Sequence, residues 1–164
     1  MAAYQDLIKH PDPVVRQWWL TSGENEFGHL FHGYGTTEGM DVLNWIHRDQ
    51  VPQNKKVTYS CYTVNIHPEK SEIHRTIITA GGNRLNYLDN VSTHTASMET
   101  ISTHWNSVIS TPKVCYCTGD ISNMYLCSTL NDAEDSRFPV DLISPNIIAH
   151  YKLQPLIRNG YAHA

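Results

Sequence analysis

Apolar residues recur at roughly helical spacing near the start of the chain: Val14, Trp18 and Leu20, then Phe27, Leu30 and Phe31, after a Pro-Asp-Pro start. This predicts a helix from Pro13 to Phe31, ended by the glycine-containing "HGYGTTEG". A short strand and a turn are expected in "DVLNWIHRDQVP". At Val57 the pattern changes. Two runs rich in β-branched and aromatic residues, Val57 to Ile66 and Ile73 to Ala80, flank a polar turn containing proline, which predicts an antiparallel hairpin. The loop "NRLNYLDNVSTHTA" offers Ser92, Thr93 or Thr95 as a helix cap. "SMETISTHWNSVIS" then places Met98, Ile101, Trp105, Val108 and Ile109 on one helical face, ending before Thr111-Pro112. A strand at "KVCYCTG", a short strand near Arg137 to Leu142 and a short helix near Pro145 to Tyr151 complete an α+β pattern.

The run "CYCTGDISNMYLCSTL" is apolar and aromatic but carries an acid, Asp120, in its middle. A buried carboxylate costs several kcal/mol unless it is paired, so Asp120 needs a partner, a metal or solvent at a strand end. Two readings fit. A strand-end aspartate caps a turn by accepting backbone N–H bonds. Alternatively, a helix directly before the strand holds the carboxylate rigidly at the mouth of a cleft.

Composition narrows the function classes. Hydrophobic residues make up 40% and charged residues 17% of 164 positions, which suits one folded domain or a piece of a larger one. The net charge of −4 supplies no whole-chain positive field to attract nucleic acid. The start lacks the blocks of a signal peptide and no apolar stretch reaches membrane-spanning length, so a soluble cytoplasmic or nuclear protein is expected, without a membrane partner. Cys115 and Cys117 form C-x-C rather than CxxC, and alternate strand positions make them packing residues. His29 and His32 have H-x-x-H spacing but no third ligand nearby, which favours surface or groove-lining histidines over a metal site. No internal repeat or glycine-rich phosphate loop is present.

Four blocks taken together are more specific than any single one: "HRTIITAGGN" (74 to 83), "NVSTHTA" (90 to 96), "NSVIS" (106 to 110) and "GDISNMYL" (119 to 126). In order and spacing they resemble the amino-terminal part of copia-type retrotransposon reverse transcriptases. The similarity extends outward to "FGHLFHGYG" and "RFPVDLISPNII". The resemblance implies a partial right-hand polymerase, a fingers hairpin plus the start of a palm sheet with packed helices. Residues 1–55 would form a helical lead-in, 56–96 the fingers-like hairpin and loop, and 97–164 the early palm.

The resemblance also implies roles. Asp120 would be the first catalytic aspartate and a Mg²⁺ ligand, and the Ile121 backbone a further ligand. Tyr125 would close on the sugar and exclude a 2′-hydroxyl. Phosphoryl transfer by this family uses two Mg²⁺ ions about 4 Å apart to clamp the attacking and leaving oxygens, and hard aspartate oxygens suit Mg²⁺. Arg75 would meet triphosphate oxygens with its fork of donors, the alternative being a surface arginine on a strand. The implied partners are an RNA template, a DNA primer and a dNTP.

The second carboxylate source of the family is an aromatic-x-Asp-Asp hairpin, and these residues contain no Asp-Asp pair. The chain also departs from the family at Ile77, Gly119, Cys127, Asp135 and Ser136. A truncated polymerase portion, inactive alone, is therefore expected, with self-association through an exposed sheet edge. The alternatives are a non-catalytic remnant or a repurposed nucleic-acid-binding or protein-binding module, and, more remotely, a small His-rich metal-binding domain.

Overall fold

The helix expected from Pro13 forms as α2, Pro13–Leu30, in a computed structural model that describes residues 3–84, 96–117, 126 and 133–164. Asp12 starts it: its side chain accepts a hydrogen bond from the Val14 N–H at 2.8 Å, and Pro13 takes the first helical position, where no N–H is needed. It ends at Leu30 with Phe31 as the C-cap, and Gly33 beyond it, whose φ of 95° is a left-handed conformation that glycine adopts freely, turns the chain back so that its N–H reaches the Gly28 carbonyl at 3.0 Å. A short helix not anticipated from the sequence, α1 (Tyr4–Ile8), precedes it. The chain divides into two compact units, residues 1–86 with 126–164, and residues 87–125.

The buried side of α2 differs from the face expected from spacing. Val14 and Trp18 are 54% and 47% exposed, whereas Trp19 is buried together with Ser22, Gly23 and Glu24. Small and hydrogen-bonding residues mark the inner face here. A Cβ on Gly23 would collide with the Tyr4 hydroxyl, and one on Gly28 would lie 2.8 Å from Tyr34 Cβ and 2.9 Å from its backbone nitrogen. Both glycines are therefore required for close approach, although each weakens an isolated helix.

The expected hairpin forms: β1 (Thr58–Ile66) pairs antiparallel with β2 (His74–Ala80), with Val64 opposite Thr76. The start of β1 also pairs in parallel with β3 (Ser136–Pro139), and β3 pairs antiparallel with β4 (Tyr161–His163), giving the sheet order β2-β1-β3-β4. Alternation along the strands divides the sheet into two faces. Val64, Thr76, Ile78, Phe138 and Ala162 are buried on the inner face. An aromatic cluster packs below it, with Phe31 stacked on Trp45 at 4.2 Å and Phe27 6.0 Å from Phe138. Burying each such ring contributes about 1.5–3 kcal/mol.

Edge strand β2 presents outward-facing amides, and α2 meets two of them. The Thr76 N–H donates to Ser22 Oγ at 2.7 Å and the Ile78 N–H donates to Glu26 Oε1 at 3.0 Å. The Ser22 hydroxyl also donates to Thr76 Oγ1 at 3.0 Å. The helix thus occupies part of an edge that would otherwise be free to pair with another strand. On its other side, buried Glu24 accepts from Ser144 Oγ at 2.7 Å and Asn146 Nδ2 at 2.9 Å, fixing the start of the short helix that follows β3.

Other elements depart from the sequence expectation. Residues 41–52 contain no strand, only a bridge from Ile46 to His163 and a single 3₁₀ turn, Arg48–Gln50. Their backbone is tied to the end of α2 instead, through bonds from Val42 and Leu43 to the Leu30 carbonyl, which brings Trp45 against Phe31. β3 stops at Pro139, after which Val140–Leu142 form a 3₁₀ turn. The second unit contains α3 (Met98–Ser110), which forms as expected and is capped by Ser97, whose Oγ accepts from the Thr100 N–H; Ser92, Thr93 and Thr95 lie outside the described residues. Met98, Trp105 and Ile109 on this helix are all exposed, with Trp105 stacked on Tyr116 at 5.2 Å. Residues 113–117 are not a strand, and Cys115 and Cys117 are exposed rather than packed. The helix near Pro145 forms as α4 (Pro145–His150), with Ser144 accepting from the Ile147 N–H.

Candidate functional site

Asp120, Ile121 and Tyr125 lie outside the described residues, as do Gly119 and Cys127. Arg75 is described. It stands on β2 directly opposite Asn65, exposed, on the outer face of the sheet. Among the described residues it makes no ion pair, although its charge favours the ionised form of Glu26. Glu26 is nevertheless held above the ordinary carboxylate range, first by burial, with the bond from Ile78 N–H opposing. Ile77 is half-buried on the outer face opposite Thr63, an apolar group on the same side of β2 as Arg75.

The same outer face continues across the sheet. Tyr59 on β1 pairs with Arg137 on β3, and Arg137 pairs with His163 on β4. The Arg137 guanidinium lies 5.0 Å over the Tyr161 ring, a cation–π contact. Arg75, Tyr59, Arg137, Tyr161 and His163 therefore share one side of a four-stranded sheet whose other side packs on the core. Of these, Arg75 is exposed and His163 is buried; arginines beside aromatic rings are the residue types that suit phosphates and stacked bases. Sequence reasoning found Arg75 but missed Arg137, Tyr161 and His163. The alternation in "SRFP" puts Arg137 and Phe138 on opposite faces, but pairing with β4 is set by long-range contacts.

Ser136, a departure from the expected apolar pattern, is buried, and its backbone exchanges two hydrogen bonds with Ala164. An open cavity of about 200 Å³ lies between α2 and the hairpin turn, lined by Trp18, Thr21, Asn25, Glu72, Ile73 and His74 among others. His74 fills much of its aromatic wall by stacking on Trp18 at 4.7 Å. Of the histidines with H-x-x-H spacing, His29 is half-buried and His32 is exposed, with Nδ1 2.6 Å from Asp41 Oδ1. Among the described residues, no three His, Cys, Asp or Glu side chains converge on a metal-sized site, and no helix is long and apolar enough to cross a membrane.

No family model, curated protein or solved structure matches the chain.

Proposed function

We propose that this chain is the fingers and early-palm portion of a copia-type retroelement RNA-directed DNA polymerase, and that alone it does not polymerise. The supporting observation is the ordered run "HRTIITAGGN", "NVSTHTA", "NSVIS" and "GDISNMYL" across one chain. The β1–β2 hairpin that carries the first block is consistent with this reading, with Arg75 exposed and unpaired by any described carboxylate.

In this reading the Asp120 carboxylate and the Ile121 carbonyl would hold Mg²⁺, which when bound would supply charge neutralisation at a transferring phosphate. Arg75 fixes triphosphate oxygens and Tyr125 excludes a 2′-hydroxyl. One carboxylate cannot hold a two-metal pair, and the Asp-Asp partner is absent from these residues. The test is primer extension on an RNA template with Mg²⁺, comparing the chain with Asp120→Asn. Equal background incorporation is expected, and incorporation above that of the variant would overturn the claim of inactivity.

A second reading, a non-catalytic nucleic-acid-binding module, is favoured by one observation: cations and aromatics share the outer sheet face. It predicts single-stranded oligonucleotide binding that weakens with salt and falls in Arg75→Ala. Anisotropy unchanged by Arg75→Ala would remove this reading.

A further inference from the structure

The strand pairing of the carboxyl-terminal segment places on one face two buried polar nitrogens, Arg137 Nε and His163 Nδ1, that have no hydrogen-bond partner among the described residues. Arg137 and His163 are directly opposite each other in the β3–β4 ladder, so their side chains emerge on the same face. His163 is 5% exposed and its Nδ1 has no hydrogen-bond partner. Arg137 Nε is buried and equally unpartnered. Both are atoms that a folded interior normally satisfies, because a buried polar group without a partner loses its bonds to water and gains none in return.

The charges around them are predominantly positive. Ile46 bridges to His163 from the neighbouring segment, with its N–H on the His163 carbonyl at 2.9 Å, and two residues further on stands Arg48. Neither Arg48 nor Arg137 forms an ion pair among the described residues. Among the described residues Asp135 favours the protonated ring, and it is outweighed. Burial first, then Arg48 and Arg137, hold the His163 imidazole below its ordinary proton affinity, with Asp135 opposing. Arg48 is exposed, so an anion approaching from solvent meets that guanidinium first.

We infer that Arg48, Arg137 and His163 form a binding site for a phosphate group, which accepts from Arg137 Nε–H and His163 Nδ1–H while Arg48 adds a second positive charge. The chemistry is that of charge-assisted bonds from a guanidinium fork to phosphate oxygens, strengthened by shelter from water. The Nδ1–H form of His163 donates whether the ring is neutral or protonated, and a bound anion stabilises the protonated ring. The site uses none of the polymerase residues Arg75, Asp120, Ile121 or Tyr125, so its failure leaves the polymerase reading untouched, and the reverse holds too.

The test is a titration of the intact chain followed by ¹⁵N NMR of the His163 ring. One arm uses inorganic phosphate, a second a single-stranded DNA oligonucleotide, and a third chloride at matched ionic strength. A saturable shift in the phosphate arm, with His163 titrating at higher pH when phosphate is bound, is expected. Affinity should fall about tenfold in Arg48→Gln, an exposed position whose substitution leaves the fold intact. Arg137→Lys, which keeps the charge but removes Nε, should weaken binding similarly. Saturation by the oligonucleotide at His163, without a response to inorganic phosphate, would support the site with a nucleic-acid phosphodiester as its source. A chloride response equal to that of phosphate would overturn the proposal, as would a His163 signal unmoved in every arm or affinity unchanged in both variants.

Discussion

Replacing Ser22 with alanine tests whether α2 completes the edge of the sheet. The hydroxyl accepts from the Thr76 N–H and donates to Thr76 Oγ1, and Ser22 and Thr76 are only 4% and 1% exposed. Alanine leaves an amide hydrogen and a hydroxyl oxygen buried without their partner, and each such loss costs about 1–3 kcal/mol. The higher helix propensity of alanine returns only a few tenths of a kcal/mol. The net expectation is a loss of about 2–5 kcal/mol, or about 4–20 °C in Tm for a chain of this size. Urea unfolding should show a lower midpoint at unchanged slope. Hydrogen exchange of the Thr76 amide should accelerate more than that of its neighbours Arg75 and Ile77. Gln17→Ala, on the exposed side of the same helix, should stay within about 0.5 kcal/mol of the parent. A Ser22→Ala protein as stable as the Gln17→Ala control, with Thr76 exchange unchanged, would refute the edge-capping role.

Two further perturbations probe the same helix. Gly28→Ala should destabilise by about 1–3 kcal/mol despite the roughly 1 kcal/mol that alanine gains in a free helix, because the Tyr34 backbone cannot retreat from the new methyl. A rise in the urea midpoint would contradict that close approach. Glu26 is a carboxyl raised by burial above its ordinary value of 4.5, so the folded state binds its proton more tightly than the unfolded state. Its contribution is therefore fully present below that value and is lost as pH rises through the raised one. Glu26→Gln keeps an acceptor for the Ile78 N–H without the charge, and should gain stability relative to the parent at neutral pH but not in acid. Equal pH profiles of the urea midpoint for the two proteins would remove the burial argument.

Elements with a strong period or clear end signals were legible from the sequence. The hairpin alternates over both strands, and α2 has a proline at its start and a glycine near its end, so their positions followed from local chemistry. Burial on α2 was not legible. Trp18 and Trp19 are adjacent and chemically alike, and the choice between them is made by Ser22, Gly23 and Glu24, whose partners lie on distant elements. α1 and β4 are too short to show a period, and β4 exists because β3 pairs with it. The run at 113–117 carries strand-forming residues, but among the described residues they have no strand partner. On the candidate site, Arg75 was legible because the hairpin was. The Arg137–His163 pair was not, since only long-range pairing brings the two together.

The proposed copia-type ancestry can be read from the genomic DNA beyond codon 164, translated in all frames. An aromatic-x-Asp-Asp block in the same direction, intact or interrupted and preceded by further palm sequence, is expected there. An unrelated intact gene structure there, with no such block in any frame, would contradict it.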